Sequence, residues 1–145
     1  MKIISPAFEN GGNIPIKYTC VGEGINPPLQ WSQVPVNTKS LVLIIDDPDA
    51  PSGVFSHWIL WNIPAHITEL LENSTPVNAV AGSGSSGDNY YFAPCPPNGI
   101  HHYRFKLFAL DTELFLSVNS RQIHLEQAMG GHILGQAMLI GLFTK

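Results

Sequence analysis

Asp46-Asp47-Pro48-Asp49-Ala50-Pro51 gathers three carboxylates and two prolines into one short stretch. Carboxylates can orient or charge a neighbouring imidazole, and prolines fix φ and remove backbone donors, so these acids sit on a stiff turn. Histidines supply the complementary groups. His101 and His102 open the run Tyr103-Arg104-Phe105-Lys106-Leu107, and His57 opens Trp58-Ile59-Leu60-Trp61-Asn62-Ile63. Because side chains alternate between the faces of a strand, His101 travels with Tyr103, Phe105 and Leu107 and is expected to look inward, whereas His102 travels with Arg104 and Lys106 and meets solvent. The same alternation groups His57 with Ile59, Trp61 and Ile63, and so also inward. Two inward histidines at strand ends, beside an acidic proline-rich turn, make a polar site in an apolar setting. Taken singly, each feature has an ordinary reading as a solvated Asp/Pro turn or a hydrogen-bonded structural histidine.

The elements that must position these groups are mostly strands. The apolar run Leu41-Val42-Leu43-Ile44-Ile45 reads as a buried strand with the acids at its mouth. Further strands are expected over 14–18, 29–31, 40–46, 58–63, 103–110 and 137–143. A helix is expected over 121–129 with Ser120 as its cap, followed by a short turn at 132–134. With 13 glycines, 12 prolines, 44% hydrophobic and only 12% charged residues, the chain is expected to be mainly β. The architecture that follows is an antiparallel β-sandwich with one or two short helices near the C-terminus. A length of 145 residues implies one domain, 1–145.

Composition also excludes functions. The net charge is −4 and no basic stripe exists, which argues against nucleic acid as a partner. Met1-Lys2-Ile3-Ile4-Ser5-Pro6 lacks the apolar run of a leader, and no segment approaches the roughly 20 apolar residues of a membrane span; a cytoplasmic protein with no transmembrane segment is expected. Cys20 and Cys95 have no metal-ligand spacing, and in a reducing compartment free thiols are expected. Asn73-Ser74-Thr75 matches a glycosylation triplet that has no secretory context. Gly82-Ser83-Gly84-Ser85-Ser86-Gly87 spells GxGxxG, but no helical pattern follows to carry a dinucleotide, so it reads as a Gly/Ser loop whose amides could border the site.

A second rigid loop, Pro94-Cys95-Pro96-Pro97-Asn98-Gly99, runs through Ile100 into His101. The order of the Asp46–Pro51 turn, the run from His57 to Pro64, the Pro94–Gly99 loop and His101-His102-Tyr103-Arg104-Phe105 resembles the phosphatidylethanolamine-binding protein family, in its bacterial and archaeal Raf-kinase-inhibitor-like branch. Ser5-Pro6-Ala7-Phe8, Pro27-Pro28-Leu29-Gln30-Trp31 and Gly131-His132-Ile133-Leu134-Gly135 fit as well. The resemblance covers essentially the whole chain and implies a β-sandwich with a shallow pocket for phosphate or the phosphoryl head of a phospholipid. Matched pocket positions are Asp47, Asp49, Ala50, Pro51, His57, Pro96, Pro97, His101 and Tyr103. It further implies a non-enzymatic binding protein without cofactor, a possible regulator or inhibitor of protein partners, in a branch whose members often form homodimers. Val21 stands where relatives commonly have Asp, and Ala93 where glycine is usual. Ala50-Pro51 is a candidate cis peptide bond in a tight turn. The alternative is a hydrolase or metal-dependent enzyme using His57, His101, Asp47 and Asp49, although no HExxH or GxSxG supports it.

Overall fold

The computed structural model describes residues 1–145. In chain order the elements are β1 (Lys2–Ile4), β2 (Gly12–Asn13), a 3₁₀ turn (Ile16–Tyr18), β3 (Leu29–Ser32), β4 (Ser40–Asp47), β5 (Phe55–Pro64), β6 (Glu69–Leu70), β7 (Val80–Ala81), β8 (His101–Leu110), α1 (Gln122–Met129) and β9 (Ile133–Phe143). A six-stranded sheet runs in the order β2-β9-β8-β4-β5-β7, and β1-β3-β6 form a three-stranded sheet. All pairings are antiparallel except the two-residue contact of β2 with β9. The expected mainly β sandwich is what forms.

β4 is the centre because every one of its residues is buried. Leu41, Leu43 and Ile45 join Leu29, Trp31, Phe105 and Leu107 in the core between the sheets. Val42 and Ile44 point the other way, into a smaller core with Ile59, Trp61, Leu125 and Met129 that seats α1 on the outer face of the large sheet. A strand covered on both faces has no position for a solvent-facing residue, which is why its sequence is a continuous apolar run.

Several expectations require correction. Residues 14–18 are not a strand: Ile14 and Tyr18 are buried, but Ile16 between them is 58% exposed, and Pro15 has no N–H for a ladder. The chain turns through 3₁₀ geometry there instead. The helix begins one residue later than expected, capped at Arg121, whose backbone N–H donates to Nδ1 of His124; the Ser120 carbonyl is occupied by the N–H of Ser83. No turn occupies 132–134, since Gly130 and Gly131, the latter at φ 80°, complete the reversal and β9 starts at Ile133. All peptide bonds are trans, Ala50-Pro51 included, and Gly53 at φ 107° provides the left-handed residue of that turn.

The cysteines are likewise not free: Cys20 and Cys95 form a disulfide across a sequence separation of 75. Spacing along the chain cannot reveal such a bond, because the fold brings the turn after the 3₁₀ segment against the Pro94–Pro97 loop, where the N–H of Cys20 also donates to the carbonyl of Pro94. No helix is long and apolar enough to cross a membrane. Replacing both cysteines by serine is expected to lower unfolding free energy by about 2–5 kcal/mol, because a long loop of the unfolded chain is released. Urea melts of the oxidised wild type and the double variant check this, and coincident midpoints would contradict it.

Candidate functional site

Strands β4, β5 and β8 end around a cavity of about 180 Å³ lined by Asp47, Ala50, Pro51, Phe55, His57, Phe92, Cys95, Pro96, Pro97, His101 and Tyr103. The β4–β8 register sets Asp46 opposite Arg104, which leaves the next residue, Asp47, on the face of Tyr103 and His101.

His57 arrives by an irregularity in β5. Ile45 faces Trp58, yet Asp46 faces Ser56 and Asp47 faces Phe55, so His57 is an extra residue in the ladder. An uninterrupted register would set His57 opposite Asp46 and Ser56 opposite Asp47; the bulge instead moves Ser56 to the face of Asp46 and leaves His57, with Phe55, on the face of Asp47. His57 therefore meets Tyr103 edge-on, with ring centroids 5.3 Å apart. Ser56 lies on the far face and donates its hydroxyl to Gln122 of α1. Inward burial of His57 is as expected, but its companions are not: the bulge sets His57 on the face of Trp58 and Leu60, opposite Ile59 and Trp61, and a second register shift between Leu41 and Leu43 brings Ile63 back to the face of Leu60.

Each buried ring has its Nδ1 engaged. His101 Nδ1 lies 2.5 Å from Oδ2 of Asp47, with both side chains under a tenth exposed, and the other oxygen of Asp47 accepts the backbone N–H of Asp49 at 2.8 Å. His57 Nδ1 lies 2.6 Å from the carbonyl of Phe92; a carbonyl only accepts, so this nitrogen carries the proton. Burial pushes the His57 pKa below its ordinary value, outweighing the Phe92 bond and the charge of Asp47, which act upward. Nε2 is the ring nitrogen left to a ligand on both histidines. Burial, with the charges of Asp47 and Asp49, pushes the Tyr103 phenol up, so it keeps its proton and stays a donor.

The phosphatidylethanolamine-binding protein family model matches residues 4–144. The chain belongs to this family. Its similar relatives include a UPF0098 protein of Methanothermobacter thermautotrophicus, 48% identical across 100% of this chain and 99% of that one, and a UPF0098 protein of Pyrococcus horikoshii, 45% identical across 98% of this chain and 76% of that one. Among solved structures, a phosphatidylethanolamine-binding protein homologue of Chlamydia trachomatis superposes with a TM-score of 0.92 at 40% identity, covering 99% of this chain and 97% of that one. YbcL of Escherichia coli, a new member of the mammalian phosphatidylethanolamine-binding protein family, superposes with a TM-score of 0.93 at 28% identity, covering 99% of this chain and 98% of that one.

Of the nine pocket positions inferred for this family member from sequence, eight line the cavity. Asp49 does not: its carboxylate accepts the backbone N–H of His102 at 2.8 Å and pairs with that ring at 2.7 Å, out in solvent. Those two bonds hold Asp49 below the usual carboxylate range. Phe55, Phe92 and Cys95 were missed. Phe55 follows from the β4–β5 register, opposite Asp47, whereas Phe92 and Cys95 sit on a loop without periodicity. Ser85 of the Gly82–Gly87 loop borders a different cavity. Cβ atoms at Gly82 and Gly84 would collide with Trp61 and with the Ser56 backbone, so these glycines serve close packing. No group of three or more His, Cys, Asp or Glu side chains is placed to hold a metal ion.

NMR titration of the ring protons is expected to place the His57 midpoint below the ordinary value of about 6.5. The unfolded chain then binds this proton more readily than the folded one, so the contribution of His57 to stability is present above the ordinary pKa and is lost as pH falls toward the folded one. A midpoint at or above the ordinary value would contradict the burial argument.

Proposed function

We propose that the cavity binds the phosphoryl group of a small molecule or a phospholipid head group and performs no covalent chemistry on it. The observation that carries this reading is the convergence of two imidazoles and one phenol on one small cavity, with each imidazole's Nδ1 already fixed by protein. At about 180 Å³ the space is below the range of roughly 300–1,000 Å³ usual for larger ligands, which suits a head group and leaves acyl chains outside. Phe55, Phe92 and the prolines supply an apolar wall, and the bridge at Cys95 fastens that wall to the body.

A proton accompanies the anion in this account. The neutral His57 presents a lone pair at Nε2, so it accepts a hydrogen bond from a protonated phosphate oxygen or takes up a proton itself. Asp47 aligns His101, whose Nε2 donates when the ring is doubly protonated. The ammonium of an ethanolamine head would find Asp47 and, at the rim, Asp49. The alternative, a hydrolase or metal-dependent enzyme built on His57, His101, Asp47 and Asp49, gains no support: no group of three or more His, Cys, Asp or Glu side chains is placed to hold a metal ion, and the neighbouring Ser56 hydroxyl lies on the opposite face from His57.

Residues 1–145 acting as one domain, a homodimer and regulation of a protein partner belong to the same proposal. The Cys20–Cys95 bridge favours an oxidising compartment over the cytoplasm expected from the sequence, because disulfides are maintained mainly there.

Calorimetric titration with inorganic phosphate and with phosphorylethanolamine tests the reading. His101→Ala should weaken binding by about tenfold or more, as loss of a hydrogen bond to a charged group does, while His102→Ala leaves it nearly unchanged. Affinity for a phosphomonoester should fall as pH rises through about 6, where the ligand loses its own proton, with net proton uptake on binding. Equal losses in the two variants, or proton release, would contradict the assignment.

A further inference from the structure

The bulge that delivers His57 to one face leaves a different set of residues on the other. Ser56, Arg104 and Lys106 point away from the pocket and, with Ser85 and the start of α1, line a separate groove of about 320 Å³; the buried Asp46 does not line it but pairs with its Arg104 and Lys106. The protein carries only seven Lys and Arg residues and a net charge of −4, yet three of the seven, including both arginines, line this groove.

Pairing accounts for part of that charge. Asp46, fully buried, accepts from Arg104 Nε at 2.7 Å and Nη2 at 3.0 Å, from Gln122 at 2.8 Å, and pairs with Lys106 at 2.7 Å. One carboxylate is thus shared by two cations. These bonds use two of the five guanidinium protons and one of the three ammonium protons, so both groups are held in place with donors to spare. Arg121 and Glu126 face the same groove, and neither takes part in an ion pair. Three cations against Asp46 and Glu126 leave a positive surplus. The Ser85 hydroxyl accepts the backbone N–H of Ser56 at 2.8 Å and keeps its own proton to donate.

We propose that this groove is a second anion site, independent of the His57/His101 pocket, and that it takes the phosphoryl group of a water-soluble solute. Its chemistry is the reverse of the pocket's. The pocket has no Lys or Arg in its lining and needs a proton to accommodate an anion, whereas the groove offers permanent positive charge and so prefers the fully ionised form. Only Val54 and Ile123 give it apolar surface, which provides no seat for a lipid chain and selects a soluble ligand.

The test is an amide-resolved NMR titration with inorganic phosphate in wild type, His101→Ala and Arg121→Gln. Arg121 is exposed and in no ion pair, and Arg121→Gln keeps the backbone N–H that caps α1 on His124; folding of this variant and of Lys106→Gln, the second variant, is checked by the same spectra. Signals of Ser85 and Gln122 should move in wild type and in His101→Ala with the same dissociation constant. Arg121→Gln should raise that constant roughly three- to fivefold, the scale of one exposed charge contact, Lys106→Gln should raise it further, and added salt should weaken it. Absence of these shifts, their loss in His101→Ala, or indifference to both groove variants would overturn the proposal. Phosphatidylglycerol vesicles form the last arm. Cosedimentation that Arg121→Gln does not change is expected; cosedimentation abolished by Arg121→Gln would assign the groove to lipid and overturn the soluble ligand.

Discussion

A single extra residue in β5 determines which groups can act together. Antiparallel partners share a face, so a slip of one position moves every following side chain to the other side of the sheet. The slip occurs between Ile45 and Asp46 of β4, just where the strand leaves the core. Before it, the ladder is governed by packing, with Ile45 opposite Trp58. Past it, His57 stands with Tyr103 and Asp47, and Ser56 stands with Asp46 and Arg104. Without the slip the imidazole would lie beside Arg104 and Lys106 and the hydroxyl beside His101, and neither face would be chemically coherent.

Electrostatics keeps the two faces apart. Burial of Asp46 acts to raise its pKa, and the bonds from Arg104, Lys106 and Gln122 more than offset this, so the carboxyl is held below its usual range. Buried charge of this kind is tolerated only when it is fully partnered. Its partners come from β8 and α1, so meeting that requirement also ties the end of β4 to both neighbours. Asp47 is thereby fixed in direction, and with it the ring of His101. The opposite wall of the pocket depends on a covalent tie, since Phe92, Pro96 and Pro97 lie on the loop that the Cys20–Cys95 bridge fastens.

What could be read from the sequence follows this division. Periodicity carries information wherever one strand packs regularly, so the buried β4 and the opposite orientations of His101 and His102 were legible, as 5% exposure for His101 against an exposed His102 bears out. Where the ladder breaks, the same rule misleads: His57 was grouped with Ile59 and Trp61, which lie across the sheet from it. The pocket position of Asp49 came from the resemblance alone, and the turn that carries it has no period that would have shown its bonds to the backbone and ring of His102 instead. Ile14, Ile16 and Tyr18 alternate like a strand, but Pro15 and an exposed Ile16 mark a turn. The disulfide and Phe92 depend on loops distant in sequence, and only the assembled fold brings them to the site.

The placement of His57 is therefore the point on which the account stands, and a nuclear Overhauser spectrum of the aromatic region tests it most directly. Cross-peaks from the His57 ring to the rings of Tyr103 and Phe55, with centroids 5.3 Å and 4.8 Å away, and none to the side chains of Gln122 or Lys106, are the predicted result. Cross-peaks from His57 to Gln122 or Lys106, without those to Tyr103, would mean an unbroken ladder and would contradict it.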